Sequence, residues 1–181
     1  MGYYTSVYGL GESPYDTTFT AGKGVYAEQG CADFSVGALD TFWRSAENFR
    51  TTVATAWAVG TGMSWAVSQA APLRNVVVDN DLLLFEYVPT ECCAAGFASG
   101  GWGSGLSVGG AITFGSQQQW MIRNSKAGEY ASAVWNTVFA GVPNAPEDQC
   151  GSTNTSSTTT QETLPVTAEK PYITADEKGD R

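Results

Sequence analysis

The sequence predicts an all-β protein built as a parallel β-helix. Short apolar runs such as "NVVVDNDLLLFEYVP" and "GGAITFGS" are bounded by Gly, Asn and Asp, which is typical of strands separated by turns. Helical periodicity is weak throughout, and glycines interrupt it. Trp43 and Trp65 are 22 residues apart, the spacing expected for one coil of a parallel β-helix. A β-sandwich also produces short strands at such spacing and is the alternative fold.

An asparagine recurs in the repeated segments, after a tryptophan and a polar cluster. In stacked coils, equivalent asparagine side chains can form hydrogen bonds with the backbone of the neighbouring coil. The candidates for such a ladder are Asn48, Asn75, Asn124 and Asn136. Parallel coils are expected over residues 40–142. Their predicted inward-facing residues include Phe42, Val67, Val76, Val78, Leu84 and Ile122.

The composition excludes several classes of function. The chain has 181 residues, of which 43% are hydrophobic and 15% charged, and its formal net charge is −9. This negative charge argues against nucleic acid and anionic membranes as partners. There is no histidine, which excludes Ser-His-Asp and Cys-His catalysis and histidine-ligated zinc. Acid–base chemistry must therefore depend on Asp, Glu, Lys, Tyr or Cys.

The chain divides by composition into three parts. Residues 1–142 carry the strand-like runs and are predicted to be β-helix coils. Residues 143–163, rich in Pro, Ser and Thr, are expected to be a linker, and residues 164–181 the start of a truncated following element. No segment is apolar enough to span a membrane, and the N-terminus lacks the pattern of a signal peptide. Because the composition is typical of extracellular proteins, we expect a fragment of a longer secreted or cell-wall protein.

The four cysteines predict disulfides, since their spacing matches no zinc motif. Cys92 and Cys93 are neighbours, and a bond between them would be strained. We therefore expect one of them to pair with Cys31 and the other with Cys150, with free thiols as the alternative. Asn154 begins the sequon Asn-Thr-Ser in the expected linker and is a candidate for N-glycosylation.

Seven blocks of the sequence, taken in order, cover nearly the whole chain. They are "GYYTSVYGLGESP", "FWRSAENF", "WAVSQAAPLRNVVVDNDLLLFEY", "GFASGGW", "GSQQQWMIRNS", "VWNTVFAGVPNAP" and "PVTAEKPYI". These blocks resemble a family of secreted microbial proteins in the pectate-lyase-like superfamily of right-handed parallel β-helices. Its members are often labelled adenylyl cyclase or coagulation factor 5/8-type protein, and they are distantly similar to glycoside hydrolases with two β-helices, of the exo-β-1,3-glucanase kind.

The resemblance has consequences for fold and partners. It implies a right-handed parallel β-helix, of which this chain holds the middle coils, and a second β-helix domain missing from this chain. It implies a polysaccharide or oligosaccharide as the partner. If the protein is an enzyme, the resemblance implies that it hydrolyses glycosidic bonds.

The stretch "GSQQQWMIRNS" is the candidate sugar-binding surface. Amide groups form hydrogen bonds with sugar hydroxyls, and an aromatic face packs on the C–H surface of a sugar ring. In a strand, Gln117 and Gln119 point to one face and Gln118 to the other. The alternative places Gln118 in an internal polar ladder and the tryptophan in the core. The predicted substrate-binding residues are Gln117, Gln119, Trp120 and Arg123.

Glu86 and Glu47 are the candidate catalytic acids, since glycoside hydrolysis needs a carboxyl group to protonate the leaving oxygen. Glu86 interrupts the apolar run "DLLLFEYVP", where burial could raise its pKa. The alternative is that Glu86 is simply an edge-facing residue at the end of a strand. Glu47 lies between Arg44 and Arg50, so its alternative is a surface ion pair.

Two further motifs are interpreted as turns. Asp79 and Asp81 are spaced as in part of a calcium site, but two carboxylates are too few to specify one. The Gly-rich residues 96–110 lack the lysine and spacing of a phosphate-binding loop and are expected to let the chain turn between coils. No motif therefore predicts a metal or a cofactor.

Two functions fit these observations. The first is a hydrolase in which Glu86 or Glu47 lies in a shallow groove within reach of the glutamines. The second is a non-catalytic β-solenoid that binds carbohydrate or serves in a cell wall or in adhesion. Paired carboxylates in one groove would favour the first.

Overall fold

The structure, a computed structural model, describes residues 4–27, 44–87, 95–96, 98–131, 136–151, 157–176 and 178–179. Within these ranges no helix is long and apolar enough to cross a membrane. In chain order the strands are β1 (Ser6–Tyr8), β2 (Thr18–Phe19), β3 (Ser45–Thr51), β4 (Ala56–Trp57), β5 (Gly60–Ser64), β6 (Pro72–Val78), β7 (Asp81–Leu83), β8 (Gly101–Ser104), β9 (Ser107–Val108), β10 (Ala111–Thr113), β11 (Gln119–Arg123), β12 (Glu129–Ala131), β13 (Asn136–Ala140) and β14 (Ser157–Gln161). A 3₁₀ turn, Pro14–Asp16, lies between β1 and β2.

The strands form two sheets in which nearly all neighbours are parallel. The nine-stranded sheet has the order β1-β3-β6-β8-β11-β13-β14, with β2 beside β3 and β9 beside β6. The five-stranded sheet has the order β12-β10-β7-β5-β4. Among the described strands, β4 and β5 are the one antiparallel pair. The prediction of an all-β chain with parallel strands is confirmed, and an antiparallel sandwich does not fit.

The chain passes back and forth between the two sheets, as in a β-helix. After β3 it enters the five-stranded sheet at β4 and β5, returns for β6, crosses again to β7 and returns for β8. Apolar side chains from both sheets meet in one core between them. Among the residues predicted to face inward, those buried are Val67, Val76, Val78, Leu84 and Ile122. The remaining one, Phe42, lies outside the described residues.

One corner of the nine-stranded sheet is a column of residues with positive φ, here called the corner column. Asparagine and glycine adopt this left-handed conformation at the lowest cost. The corner column consists of Asn48, Asn75, Gly105, Asn124 and Gly141, with φ of 58°, 50°, 65°, 45° and 62°. Each of the strands β3, β6, β8, β11 and β13 therefore bends or ends at the same level.

Part of the predicted asparagine ladder is present in the corner column. The amide nitrogen of Asn75 donates to Oδ1 of Asn48 at 2.7 Å. The amide nitrogen of Asn48 donates to the carbonyl oxygens of Gly9 and Gly11, at 2.9 and 2.7 Å. These side-chain bonds join β6 to β3, and β3 to the segment that follows β1.

The other two predicted rungs do not extend that ladder. Asn124 stands in the corner column, but Gly105 separates it from Asn75. A glycine carries no side-chain amide, so the chain of bonds stops there. Asn136 is the exposed first residue of β13 and lies outside the corner column.

The region expected to be a polar linker contains a strand. Residues 157–161 form β14, which pairs in parallel with the whole of β13. The hydroxyl of Thr160 donates to the carbonyl oxygen of Pro146 at 2.7 Å, and its N–H donates to Oδ1 of Asp148 at 3.0 Å. Threonine is β-branched and suits a half-buried pleated surface. This part of the Ser/Thr run therefore adds a strand to the sheet.

The disulfide and glycosylation predictions fall mostly on undescribed residues. Cys31, Cys92, Cys93 and Asn154 lie outside the described ranges, so both stay predictions. Cys150 is exposed and forms no disulfide with a described residue.

Candidate functional site

A row of polar side chains crosses the outer face of the nine-stranded sheet, immediately before the corner column. Its members are in register on the neighbouring strands β1, β3, β6, β8 and β11. Adjacent strands lie about 4.8 Å apart, so each side chain is within reach of the next. We call it the charged row; it consists of Tyr8, Glu47, Arg74, Ser104 and Arg123.

Glu47 is buried in the charged row, with 2% of its surface exposed. Nζ of Lys170 lies 2.9 Å from each of its carboxylate oxygens, and Nε of Arg74 lies 3.7 Å from Oε1. The partners considered from the sequence, Arg44 and Arg50, are not the ones that pair with it. Both oxygens of Glu47 are therefore occupied by an ion pair with a residue 123 positions away.

Lys170 belongs to residues 168–175, here called the strap, which cross the outer face of the sheet. Nη2 of Arg123 lies 2.9 Å from Oε2 of Glu169, and the amide of Asn124 donates to Oε1 at 2.8 Å. Burial opposes ionisation of Glu169, but these hydrogen bonds, led by that of Arg123, outweigh it and lower its pKa. Glu169 is therefore kept in its ionised form.

The strap continues across the sheet to the segment after β1. The hydroxyl of Tyr172 donates to the carbonyl oxygen of Glu12 at 2.6 Å, and the N–H of Ala175 to that of Leu10 at 2.8 Å. A cavity of about 370 Å³ lies between the strap and the charged row. The residues expected to begin a separate element, 164–181, thus include a segment that packs on this sheet.

Trp102, on β8, forms an aromatic platform beside the charged row. Its ring centroid lies 4.0 Å from Cζ of Arg74 and 5.3 Å from Cζ of Arg123. Guanidinium groups interact favourably with the face of an indole ring. The ring therefore interacts with both guanidinium groups.

Glu86 lies on the opposite side of the molecule, just after β7 of the five-stranded sheet. The hydroxyl of Ser64 on β5, which is fully buried, donates to Oε1 of Glu86 at 2.9 Å. Burial raises the pKa of Glu86, while the Ser64 bond and the charge of Lys23 partly offset the shift. Because Glu47 belongs to the other sheet, the two candidate acids do not share a groove.

Two aromatic rings and a lysine lie on the same side as Glu86. The ring centroids of Tyr26 and Trp57 are 5.6 Å apart. Nζ of Lys23 lies 5.3 and 5.1 Å from these two centroids, and its charge is close enough to influence Glu86. Rings, an ammonium group and a carboxyl group together could bind the C–H face and hydroxyls of a sugar.

The predicted sugar-binding role of Gln117 is wrong, because this side chain is fully buried. Its amide nitrogen donates to the carbonyl oxygens of Val67 and Leu84, at 2.9 and 2.7 Å. Its Oε1 accepts from the N–H of Gly100 at 2.8 Å. Gln117 forms an isolated parallel bridge with Ala98, and a bend at Gln118 separates it from β11, so the alternation of β11 does not extend to it. It joins backbone segments inside the core.

The other residues of that stretch divide between core and surface. Trp120 is 2% exposed and packs against Phe114, so it belongs to the core and cannot contact a ligand. Gln119 is exposed on the outer face. Arg123 faces outward as predicted, but it is paired with Glu169 of the strap.

Asp79 and Asp81 lie at the turn between β6 and β7 and have protein partners. Arg50 contacts both carboxylate oxygens of Asp79, at 2.9 and 2.6 Å. Asp81 accepts the N–H of Ala111 at 2.9 Å. Within the described residues, no group of three metal-ligating side chains comes together.

Sequence reasoning missed the residues that surround the two glutamates. Arg74 and Lys170 belong to segments distant from Glu47, and no local spacing indicates their contact. The in-register asparagines offered one signal: Arg74 precedes Asn75 as Glu47 precedes Asn48. Aligning the two segments by their asparagines places Arg74 beside Glu47.

Comparison with known proteins relates the whole chain to one enzyme. An exo-beta-1,3-glucanase of Streptomyces sp. (strain SirexAA-E / ActE) is 40% identical over 176 residues, which are 97% of this chain and 26% of the relative. The chain is similar to part of a glycoside hydrolase. It spans about a quarter of that curated relative. No protein-family model matches the chain.

Two solved structures give the same result. Both are sacteLam55A from Streptomyces sp. SirexAA-E, one of them a variant in complex with glucose. Each has a TM-score of 0.75 to this structure, at 37% and 36% sequence identity. The match covers 98% of this chain and 29% of each solved chain.

Proposed function

We propose that the chain is part of a secreted, right-handed parallel β-helix protein that hydrolyses β-1,3-glucan. The similarity to an exo-beta-1,3-glucanase, 40% identical over 97% of the chain, carries this proposal. The alternation of parallel strands between two sheets supports the fold. Because the chain spans 26% of that relative, the active protein is proposed to be longer. The family resemblance of the sequence supports a second β-helix domain in it.

Glu86 is the better candidate acid of the two glutamates. A general acid must hold a proton near the working pH, and burial raises the pKa of Glu86 in that direction. With residues 168–175 docked on the sheet, Lys170 binds both oxygens of Glu47, which then has no free oxygen to offer a leaving group. Tyr26 and Trp57 are the proposed sugar-packing rings on the side of Glu86. Gln119 and Arg123 remain proposed ligand contacts on the other face.

The proposal is tested with the complete protein that contains this chain, on β-1,3-glucan and, for comparison, on β-1,4-glucan. We expect hydrolysis of the first. Glu86→Gln should lower kcat by about 10²-fold or more if Glu86 is the acid. Glu129→Gln, in β12 of the same sheet, is the matched control and should be unchanged. Absence of hydrolysis would refute the function, whereas an unaffected Glu86→Gln enzyme would refute only the role of Glu86.

A non-catalytic carbohydrate-binding function is the second candidate. One observation favours it: among the described residues, the two predicted acids lie on different sheets, so they cannot act as a pair. Under this function, the chain would bind glucan oligosaccharides, and the complete protein would release no sugar. Calorimetry with a β-1,3-linked oligosaccharide, beside the hydrolysis assay, distinguishes the two.

Glu86 also predicts a pH dependence of stability. A carboxyl group whose pKa is raised on folding contributes stability below its ordinary value of 4.5, and this is lost as pH rises through the raised pKa. Because glutamine does not ionise, Glu86→Gln does not lose stability in this pH range. We therefore expect the variant to gain stability relative to the wild type as pH rises from about 4.5 through the raised pKa, with no further gain above it. Urea denaturation of both at a series of pH values measures the difference, and a pH-independent difference would contradict the prediction.

A further inference from the structure

The strap meets the sheet through two ion pairs of opposite polarity. On the sheet, Glu47 is negative and Arg123 positive; on the strap, the adjacent residues Glu169 and Lys170 carry the complementary order. Lys170 reaches Glu47 at 2.9 Å, and Arg123 reaches Glu169 at 2.9 Å. A strap shifted by one residue along this path would place like charges together, which costs energy.

The backbone of the strap suits this position. Lys170 precedes Pro171, and the proline ring restricts the preceding residue to an extended conformation. An extended segment loses little further backbone freedom when it docks. Nη2 of Arg123 also donates to the carbonyl oxygen of Ala168 at 3.1 Å. The same guanidinium group therefore binds both the backbone of the strap and the carboxylate of Glu169.

We infer that this charge order decides whether the strap is docked, and that the strap is a removable cover over the cavity at Glu47 and Arg74. The other described bonds of the strap are those of Glu169 with Asn124 and of Ala168 with Arg123, beside the ion pairs, and those of Tyr172 with Glu12 and of Ala175 with Leu10, at its far end. The roof of the cavity consists of strap residues 169–172. Release of the strap opens the cavity and leaves Glu47 with Arg74 alone.

Ionic strength gives the first test, on the 181-residue chain itself. The Debye length falls from about 30 Å at 0.01 M to about 3 Å at 1 M salt. Amide hydrogen exchange within the strap, including the N–H of Ala175, is expected to accelerate with salt, while exchange in β6 stays unchanged. Strap amides that exchange at the unprotected rate already at low salt would overturn the inference.

Charge variants give the second test. Lys170→Glu is expected to accelerate strap exchange at least about tenfold at low salt. Lys178→Glu changes the net charge equally outside the strap and should have little effect. Strap exchange in Lys170→Glu that equals the wild type would overturn the inference.

A charge-reversal cycle separates docking from folding. Arg123→Glu and Glu169→Arg are each expected to release the strap, and the double variant is expected to restore much of its protection. Melting temperature and exchange in β6 report whether each variant is folded. Two folded single variants with no recovery in the double variant would show that charge order does not decide docking.

Discussion

Replacing Gln117 with alanine is expected to destabilise the chain by about 3–5 kcal/mol, because three buried hydrogen bonds and the packing of the side chain are lost. Its amide joins the backbone of Val67, Leu84 and Gly100, segments up to 50 positions away in sequence. Each partner left without a bond inside the core adds a desolvation cost. For a chain of this size the melting temperature should fall by about 6–20 °C, measurable by circular dichroism.

Two control variants show which part of that loss is polar. Gln117→Leu keeps most of the volume and removes the bonds, so it should still lose much of the stability. Gln119→Ala, two positions on and exposed, should change stability by less than about 0.5 kcal/mol. If Gln117→Ala proved as mild as Gln119→Ala, the buried amide would have no structural role.

Replacing Asn48 with alanine is expected to cost about 3–4 kcal/mol, since its side chain makes three hydrogen bonds and its φ is 58°. Alanine removes the bonds to Gly9, Gly11 and Asn75 and adds the strain of a Cβ atom in the left-handed region. Chemical denaturation of the variant measures the loss.

Asn48→Gly separates the two contributions. Glycine removes the same bonds but tolerates the positive φ, so this variant should be about 1 kcal/mol more stable than Asn48→Ala. Equal stability of the two variants would show that backbone strain contributes nothing. A cost below about 1 kcal/mol for both would show that the asparagines do not hold neighbouring coils together.

Residue type was sufficient to predict part of the core of this fold. Val76, Val78 and Ile122 are β-branched residues in short runs bounded by turn formers. Such runs favour strands by their local composition, so the partner strand need not be known. Gln117 escaped prediction because the bend at Gln118 separates it from β11, so the alternation of that strand does not set its direction. β14 escaped because its Ser/Thr composition is also that of a linker, and only the pairing with β13 distinguishes the two.

The candidate site could be predicted only in part. Glu86 stood out because it interrupts an apolar run, and burial does raise its pKa. Glu47 was a candidate between two arginines in sequence, where its burial was not predicted. Their partners could not be predicted, because Lys170 reaches Glu47 across 123 residues and Ser64 reaches Glu86 across 22. Such contacts follow from the stacking of coils, which sequence spacing does not specify when coil lengths differ.

The corner column has a consequence for how this protein could change length. Its members stand 27, 30, 19 and 17 positions apart in sequence, yet they occupy one level of the sheet. The loops absorb the differences, so insertions there need not disturb the corner. A whole coil could accordingly be duplicated or deleted if each new unit supplies an asparagine or a glycine at the bend. An engineered chain with one coil copied is a direct way to lengthen the molecule by about 4.8 Å.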